Sequence, residues 1–320
     1  MKRAARVAVE GADAVLVTSY CPDGSAASDL ALEHAPGLSV YYDLDTPVTL
    51  AALEDGEYPP YLCQRGLSEF DLVLSFTGGH ALELLQERLG ARRVAALYGH
   101  VDEHVHRPTR ASARFRSSLS YLGTYAADRQ ATLDELFLSP ARRLPLETFQ
   151  LAGSLYPNPE AFPPNVQYWP HLPPGEHAAF FASSRMTLNV TRASMARLGF
   201  CPSGRLFEAA ASSVPILSDW FLGLEHFFEP GRELIVARTG SEVMDALALG
   251  EDELERMAAR ARERVLAEHR SSRRAEELIE LLSSPTAVPE SVAALRAEDL
   301  AVLDSNGAES GAKRATPTEV

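Results

Sequence analysis

Short, continuous apolar runs alternate along this chain with stretches of helical periodicity. A run apolar on both faces cannot lie on a half-solvated sheet, so the pattern calls for parallel strands covered by helices on either side. In the first third, strands are expected near Ala14–Ser19, Leu38–Asp43, Asp71–Phe76 and Val94–Tyr98. Helices are expected near Ser25–His34, Pro47–Leu53 and Ala81–Leu89, the last stopped by Gly90. A polar stretch, His104–Ser118, then carries four arginines and Pro108 and marks a candidate hinge. Further strands are expected near Leu119–Leu122, Thr148–Ala152, Val166–Trp169, Met186–Val190, Val214–Leu217 and Leu234–Val236. Helices follow near Asp128–Leu138, Gly175–Ala182, Arg205–Ser212, Ser241–Leu249 and Asp252–His269.

A length of 320 residues suits two domains. The expectation is α/β, with two Rossmann-like doubly wound domains facing a cleft and ligands at the carboxyl ends of the strands. Residues 1–107 and 108–282 form the two domains. From Ser283 the chain is rich in Ser, Thr, Pro, Gly and Ala, so 283–320 is read as a flexible tail.

Charge and cysteine content narrow the function classes. The net charge of −14 argues against a nucleic-acid binder held by phosphate contacts. Cys21, Cys63 and Cys201 are odd in number and lack a Cys-x-x-Cys pair, which excludes a disulfide framework and a four-thiolate zinc site. No apolar run reaches the length of about 18 residues needed for a membrane span. The start carries no signal-peptide pattern, so the chain is expected in the cytoplasm.

Against this acidic background, the window Ser183–Phe207 has no Asp or Glu and four arginines, Arg185, Arg192, Arg197 and Arg205. It ends in Cys201-Pro202-Ser203-Gly204-Arg205, directly before the helical run from Leu206. A helix start offers free N–H groups and a positive dipole end, so an arginine-rich loop feeding one suits a phosphate or diphosphate. The alternative is a scatter of surface arginines. Glu208, one turn into that helix, can accept two hydrogen bonds from a ribose diol or merely complement the dipole.

Elsewhere, Phe76-Thr77-Gly78-Gly79-His80 joins a strand to a helix, and its glycines permit close approach of a ligand. Tyr42-Asp43-Leu44-Asp45-Thr46-Pro47 ends another strand. Asp43 or Asp45 there can serve as a base or bind hydroxyls, while one of the two is expected to cap the helix that Pro47 helps to start. His100, His104 and His106 with Asp102 and Glu103 form a dense cluster. Their spacing matches no common metal site, and no metal is expected. Nucleophile-elbow, Walker and dinucleotide glycine motifs are missing.

The order of these pieces resembles a GT-B glycosyltransferase, most of all the spore-maturation CgeB-like family. The resemblance is strongest over Leu188–Ala211, through Pro215–Trp220, and over Gly223–Glu233. Tyr121–Arg129 resembles the turn that opens a donor domain, and Tyr98–Asp102 with His106 and Pro108 resembles the crossover between domains. The resemblance implies a hexosyltransferase that moves a sugar from a nucleotide-diphosphate donor to a glycan, protein or small-molecule acceptor, without a metal or other cofactor. It implies donor-diphosphate contacts from Arg129, Arg192, Ser203, Gly204 and Arg205, and ribose contacts from Glu208. Asp219, Gly223, Leu224 and Glu225 would line the donor sugar or phosphates. Thr77, Gly78 and Gly79 would form an acceptor-side loop, with Asp43, Asp45 and His80 as catalytic candidates. Retaining members of the fold often carry a Glu eight positions before the ribose Glu; that position is Phe200, which leaves retention or inversion open. The chain also enters the pattern after the usual first strand, glycine loop, helix and second strand, so a shortened first domain is expected. A degenerate GT-B protein that binds nucleotide sugars or glycans without turnover is the alternative, and an epimerase on the same fold is a further one.

Overall fold

The computed structural model describes residues 2–284. The first sheet holds β1 (Ala14–Thr18), β2 (Leu38–Asp43), β3 (Leu72–Ser75) and β4 (Val94–Ala96), in that sequential order and all parallel. Val40 pairs with Leu72 and Val73 with Val94 in register. Side chains alternate across the pleat, so every second residue faces the same layer. Val17, Tyr41, Val73 and Val94 pack with Ala31, Leu82 and Leu85 from the intervening helices. On the opposite face, Val40, Leu72, Leu74 and Ala95 meet Leu278, Leu281 and Leu282 of the helix Ser271–Ser283. The chain thus returns to the first domain after completing the second, and its last described helix covers a face the local helices leave open.

The second sheet holds β5 (Ser117–Leu122), β6 (Phe149–Ala152), β7 (Val166–Trp169), β8 (Ser184–Asn189), β9 (Ile216–Ser218) and β10 (Ile235–Val236). Its order is β10-β9-β8-β5-β6-β7, all parallel. This is a doubly wound arrangement whose strand order reverses between β5 and β8. One face packs on Phe180, Phe181, Phe207, Phe227 and Phe228; the other buries Tyr121, Phe137, Phe149 and Met186. The outgoing and returning connections run side by side, with the Val101 amide donating to the His269 carbonyl (2.9 Å) and the Ser271 amide to the Val101 carbonyl (3.0 Å). Both sheets match the expected α/β architecture, the first with four strands and the second with six.

Strand positions agree with the apolar runs to within about two residues, the usual scatter of element ends. The helices Lys2–Glu10, Ala193–Leu198 and Leu224–Phe227 were not expected. Ala193–Leu198 sits inside the arginine window, whose charge and flanking Gly199 and Pro202 read as loop. The expected tail begins at Ser283, which ends the last described helix; 285–320 lie outside the described residues.

Leu281 is only 3% exposed, against the first sheet. Leu281→Ala is expected to cost about 2–5 kcal/mol, the scale of a buried leucine truncation. Urea denaturation of the full chain measures it, and a change within the error of the wild type removes this helix from the first domain's core.

Candidate functional site

Where strand order reverses, the connections leave β5 and β8 toward opposite faces of the sheet and a crevice opens at their carboxyl ends. Gly123 follows β5 there, and a Cβ on it would lie 2.6 Å from both the Arg205 guanidinium and the Tyr121 hydroxyl. Arg205 enters from the helix Gly204–Ala211. Its Nε donates to the Leu122 carbonyl at the end of β5, and its Nη1 donates to Asn189 Oδ1 at the end of β8 (2.9 Å). The guanidinium stands 4.9 Å from the Tyr121 ring centroid, within cation–π range.

Arg129 approaches the same ring from the helix Ala127–Leu133, at 6.0 Å. It donates to the Thr124 carbonyl, while its buried Nε has no partner. Burial, with Arg205 and Arg192 nearby, pulls its guanidinium below the usual arginine value. Arg192 completes the group from the turn after β8. It lies between Asp128 (3.3 Å) and, across the interdomain cleft, Asp45 (3.8 Å). A cavity of about 200 Å³ is lined by Asp45, Arg129, Thr191, Arg192, Ser203 and Gly204. Ser203 takes the N-cap position of its helix without a side-chain capping bond, which leaves its hydroxyl available. Two cations lining the cavity, a third (Arg205) beside it, a hydroxyl and a helix start suit a dianionic or trianionic ligand.

The arginine window therefore divides. Arg192 and Arg205 reach the crevice, whereas Arg185 lies at the opposite end of β8, bonded to Glu251 (2.6 Å) and the Leu249 carbonyl. About 20 Å of extended chain separates it from Arg192. Arg197 is exposed.

Glu208 lies in the same helix as Arg205, and its side chain is 28% exposed. His177 Nδ1 and His106 Nε2 face its Oε2 at 3.8 and 3.9 Å. Burial opposes ionisation of this carboxyl, but His177, His106 and Arg205 outweigh it and hold Glu208 below the usual carboxylate range. His106 itself is pulled down by burial, against the attraction of Glu208. Of the expected histidine cluster, only His106 joins this group. His177 was not singled out in the sequence, because its partner residues lie 31 and 71 positions away.

The remaining expected residues mostly do structural work. Asp43 is fully buried and bonds the Asp45 amide (3.2 Å) and Thr49 hydroxyl (3.1 Å), so it secures the turn after β2 and does not reach the cleft. His80 bonds Glu83 on its own helix (2.7 Å) and does not line the cavity. Asp45 does reach the cleft. It occupies an N-cap position without a capping bond, accepts from the Tyr20 hydroxyl (3.2 Å) and faces Arg192. Burial raises its pKa, with Arg192 opposing.

Asp219 faces inward and accepts from the Thr191 amide and hydroxyl, both at 2.9 Å, so it braces the turn that carries Arg192. Leu224 is fully buried, its amide spent on the Phe221 carbonyl, and exposed Glu225 accepts from Trp220 (3.0 Å).

Thr77, Gly78, Gly79 and Gly223 converge on Phe200 and its neighbour. The Phe200 amide donates to the Leu222 carbonyl (2.7 Å), its carbonyl accepts from the Gly78 amide (3.0 Å), and the Thr77 hydroxyl meets Cys201 Sγ (3.1 Å). A Cβ on Gly79 or Gly223 would lie 2.6 Å from the Phe200 ring. Gly79 thus makes room for a ring from the second domain, and Gly223 for the same ring within its own domain, the departure Phe200 introduces. Phe200 adopts φ 46°, a left-handed conformation uncommon outside glycine, asparagine and aspartate. The sequence marked Phe200 only as a departure; its wedge role depends on the interdomain contact.

Comparison with solved structures places this architecture in the GT-B fold. The chain is similar to sucrose-phosphate synthase from Thermosynechococcus elongatus, with a TM-score of 0.64, 12% identity, and coverage of 85% of this chain and 73% of the other. It is similar to Anabaena HepE solved with UDP and glucose, with a TM-score of 0.62, 12% identity, and coverage of 88% and 80%. A pneumococcal O-GlcNAc transferase, GtfA, solved with UDP and GlcNAc, gives a TM-score of 0.55 at 13% identity over 89% of this chain and 59% of that one. Residues 129–280 match the model of a family described as glycosyl transferase-like. No curated protein matches the sequence. Among the described residues no helix is long and apolar enough to cross a membrane.

Asp219 supplies a pH test of the brace. Burial pushes its carboxyl up to about 6 from an ordinary 3.8, with the Thr191 bonds opposing. A raised carboxyl favours the fold while protonated, so this stabilisation is full below about pH 4 and is lost as pH rises through 6. Asp219→Asn cannot ionise and is expected to gain on wild type by up to about 3 kcal/mol between about pH 4 and pH 7. Urea denaturation across that range reads it; a pH-independent difference would falsify the assignment.

Proposed function

We propose that the chain is a glycosyltransferase, of hexosyltransferase type, that uses a nucleotide-diphosphate sugar as donor. The carrying observation is that Arg129 and Arg192 line the cavity at the strand-order reversal while Arg205 stands beside them on the Tyr121 ring it shares with Arg129. Like charges gathered in a partly buried site repel one another, and an anion relieves that cost. Arg129, Arg205 and the Ser203–Gly204 turn take the diphosphate, with Arg192 beside them once Asp45 and Asp128 share it. Glu208 takes the ribose. As the glycosidic bond breaks, negative charge grows on the departing diphosphate, and guanidinium forks with the helix dipole stabilise it without a metal ion. Asp45 is the carboxylate placed to handle the acceptor's proton, since Asp43 is fully buried and His80 does not line the cavity.

The neighbours HepE and GtfA were solved with UDP, so UDP-sugars are the first donors to test. The acceptor class is a glycan, a protein or a small molecule. The CgeB-like pattern around Pro202–Glu208 favours that subfamily. Three unpaired cysteines suit a reducing compartment such as the cytoplasm.

A second reading is a GT-B protein that binds donors without turnover. The Phe200 ring wedged between Gly79 and Gly223 favours it, because it fills part of the interdomain cleft.

Release of UDP from a panel of UDP-sugars separates the two. For the enzyme, Arg205→Ala is expected to lower kcat by about 10²–10³, the scale of losing one oxyanion donor. Glu208→Ala is expected to raise the donor KM by about 10–100-fold, the scale of a charged hydrogen bond. Thermal stabilisation by UDP without release from any donor or acceptor supports the binding protein instead. No stabilisation and no release overturns both.

A further inference from the structure

Three side chains from distant segments meet beside the crevice. His106 comes from the connection leaving the first domain, His177 from the start of the helix His177–Ala182, and Glu208 from the second turn of Gly204–Ala211. One ligand atom from each lies within 4.8 Å of the other two.

The contacts are too long for hydrogen bonds. Both imidazole–carboxylate separations, 3.8 and 3.9 Å, exceed hydrogen-bond distance. His177 Nε2 lies 3.3 Å from the Leu172 carbonyl, which only accepts, so Nε2 carries the hydrogen. In the neutral ring, Nδ1 then presents its lone pair to the Glu208 oxygen. His106 has both ring nitrogens buried and without a partner. Its Nε2 also faces that oxygen. With both rings neutral and the His106 hydrogen on Nδ1, three atoms able to donate an electron pair face a shared space.

We infer that His106, His177 and Glu208 form a binding site for a divalent transition-metal ion of the zinc type, and that the ion excludes the nucleoside from Glu208. Two imidazoles and one carboxylate with a fourth position left for water is a recognised zinc ligand set. Zinc–ligand lengths of about 2.0–2.2 Å require tetrahedral ligand spacings of about 3.4 Å. The observed 3.8 and 3.9 Å need to close by a few tenths of an ångström, and the imidazole–imidazole spacing, within 4.8 Å, by up to about 1.4 Å. The His177–Leu172 bond supplies the outer-shell carbonyl that orients a metal-bound imidazole. Glu208 Oε2 faces both rings, so a carboxylate holding the ion is unavailable to a ribose diol. The exclusion rests on the ribose role proposed for Glu208; the ion site does not.

The test uses the untagged full chain and Co²⁺, whose tetrahedral complexes absorb visibly, with Zn²⁺ as competitor. Visible absorption that saturates with Co²⁺ and is removed by Zn²⁺ is expected. His106→Ala, His106→Gln and His177→Ala should each weaken Co²⁺ binding by at least about tenfold, the lower end of what even outer-shell partners contribute. His104→Ala, exposed two positions away on the same connection, should leave binding unchanged. Lack of the absorption, or its survival in the His106 and His177 variants, overturns the ion site. UDP is expected to release the Co²⁺. Binding that depends on the histidines but is indifferent to UDP leaves the ion site standing and overturns both the exclusion and the ribose role of Glu208.

Discussion

Strand order reverses between β5 and β8, and the site depends on the gap this leaves. A parallel sheet consumes its backbone donors and acceptors along the ladder, so the free groups collect at strand ends. Arg205 answers them directly by donating to the last carbonyl of β5 and to the side chain that ends β8. The same guanidinium that is available to a ligand thus ties the two central strands together. Removing it costs binding and also leaves the Leu122 carbonyl and Asn189 side chain without that donor. A pure charge-removal reading of an Arg205 variant therefore needs the conservative Lys substitution beside it, which keeps the charge but not the planar fork.

The interdomain cleft is closed in this structure by contacts that differ in kind. Phe200 packs against glycines from both sides and exchanges backbone hydrogen bonds with Gly78 and Leu222. Arg192 reaches Asp45 electrostatically over 3.8 Å. The first contact is short-range and shape-specific, so a small rotation of the domains breaks it altogether. The second weakens gradually with distance and is screened by salt. A diphosphate drawn to Arg192 competes directly with Asp45, so ligand binding and the grip of one domain on the other draw on the same guanidinium.

Much of the fold was legible because parallel strands buried on both faces leave unbroken apolar runs, as at Leu72–Ser75 and Val94–Ala96. The charge gap around Arg192 and Arg205 was legible for a related reason: a phosphate-sized site excludes acids from its own stretch of chain. Arg185 shares that stretch yet pairs with Glu251, because a strand carries its two ends far apart. Acidic residues at strand ends were less legible. Asp43 and Asp219 both sit at such positions, but both turn inward, Asp43 to the turn that follows it and Asp219 to the turn after β8. A carboxylate serves a turn or a ligand from nearly the same backbone position, and one rotamer decides between them. His177 was illegible for want of any local pattern, since its partners come from other segments.

Glu208 gathers these strands of argument. A ribose diol presents hydrogen-bond donors, and a zinc-type ion presents an electron-pair acceptor; a carboxylate flanked by two imidazoles suits either. What differs is the flanking pair. For a diol, Glu208 alone accepts both hydroxyls, and the histidines need only shape the pocket. For the ion, Glu208 alone is a weak ligand and the histidines supply most of the affinity. Substituting His106 or His177 therefore separates the two occupants where substituting Glu208 cannot. Because His106 belongs to the connection between the domains, an ion held there also ties that connection to the donor-side helix. Occupancy of this one pocket then bears on nucleoside access and on the path of the interdomain crossover together.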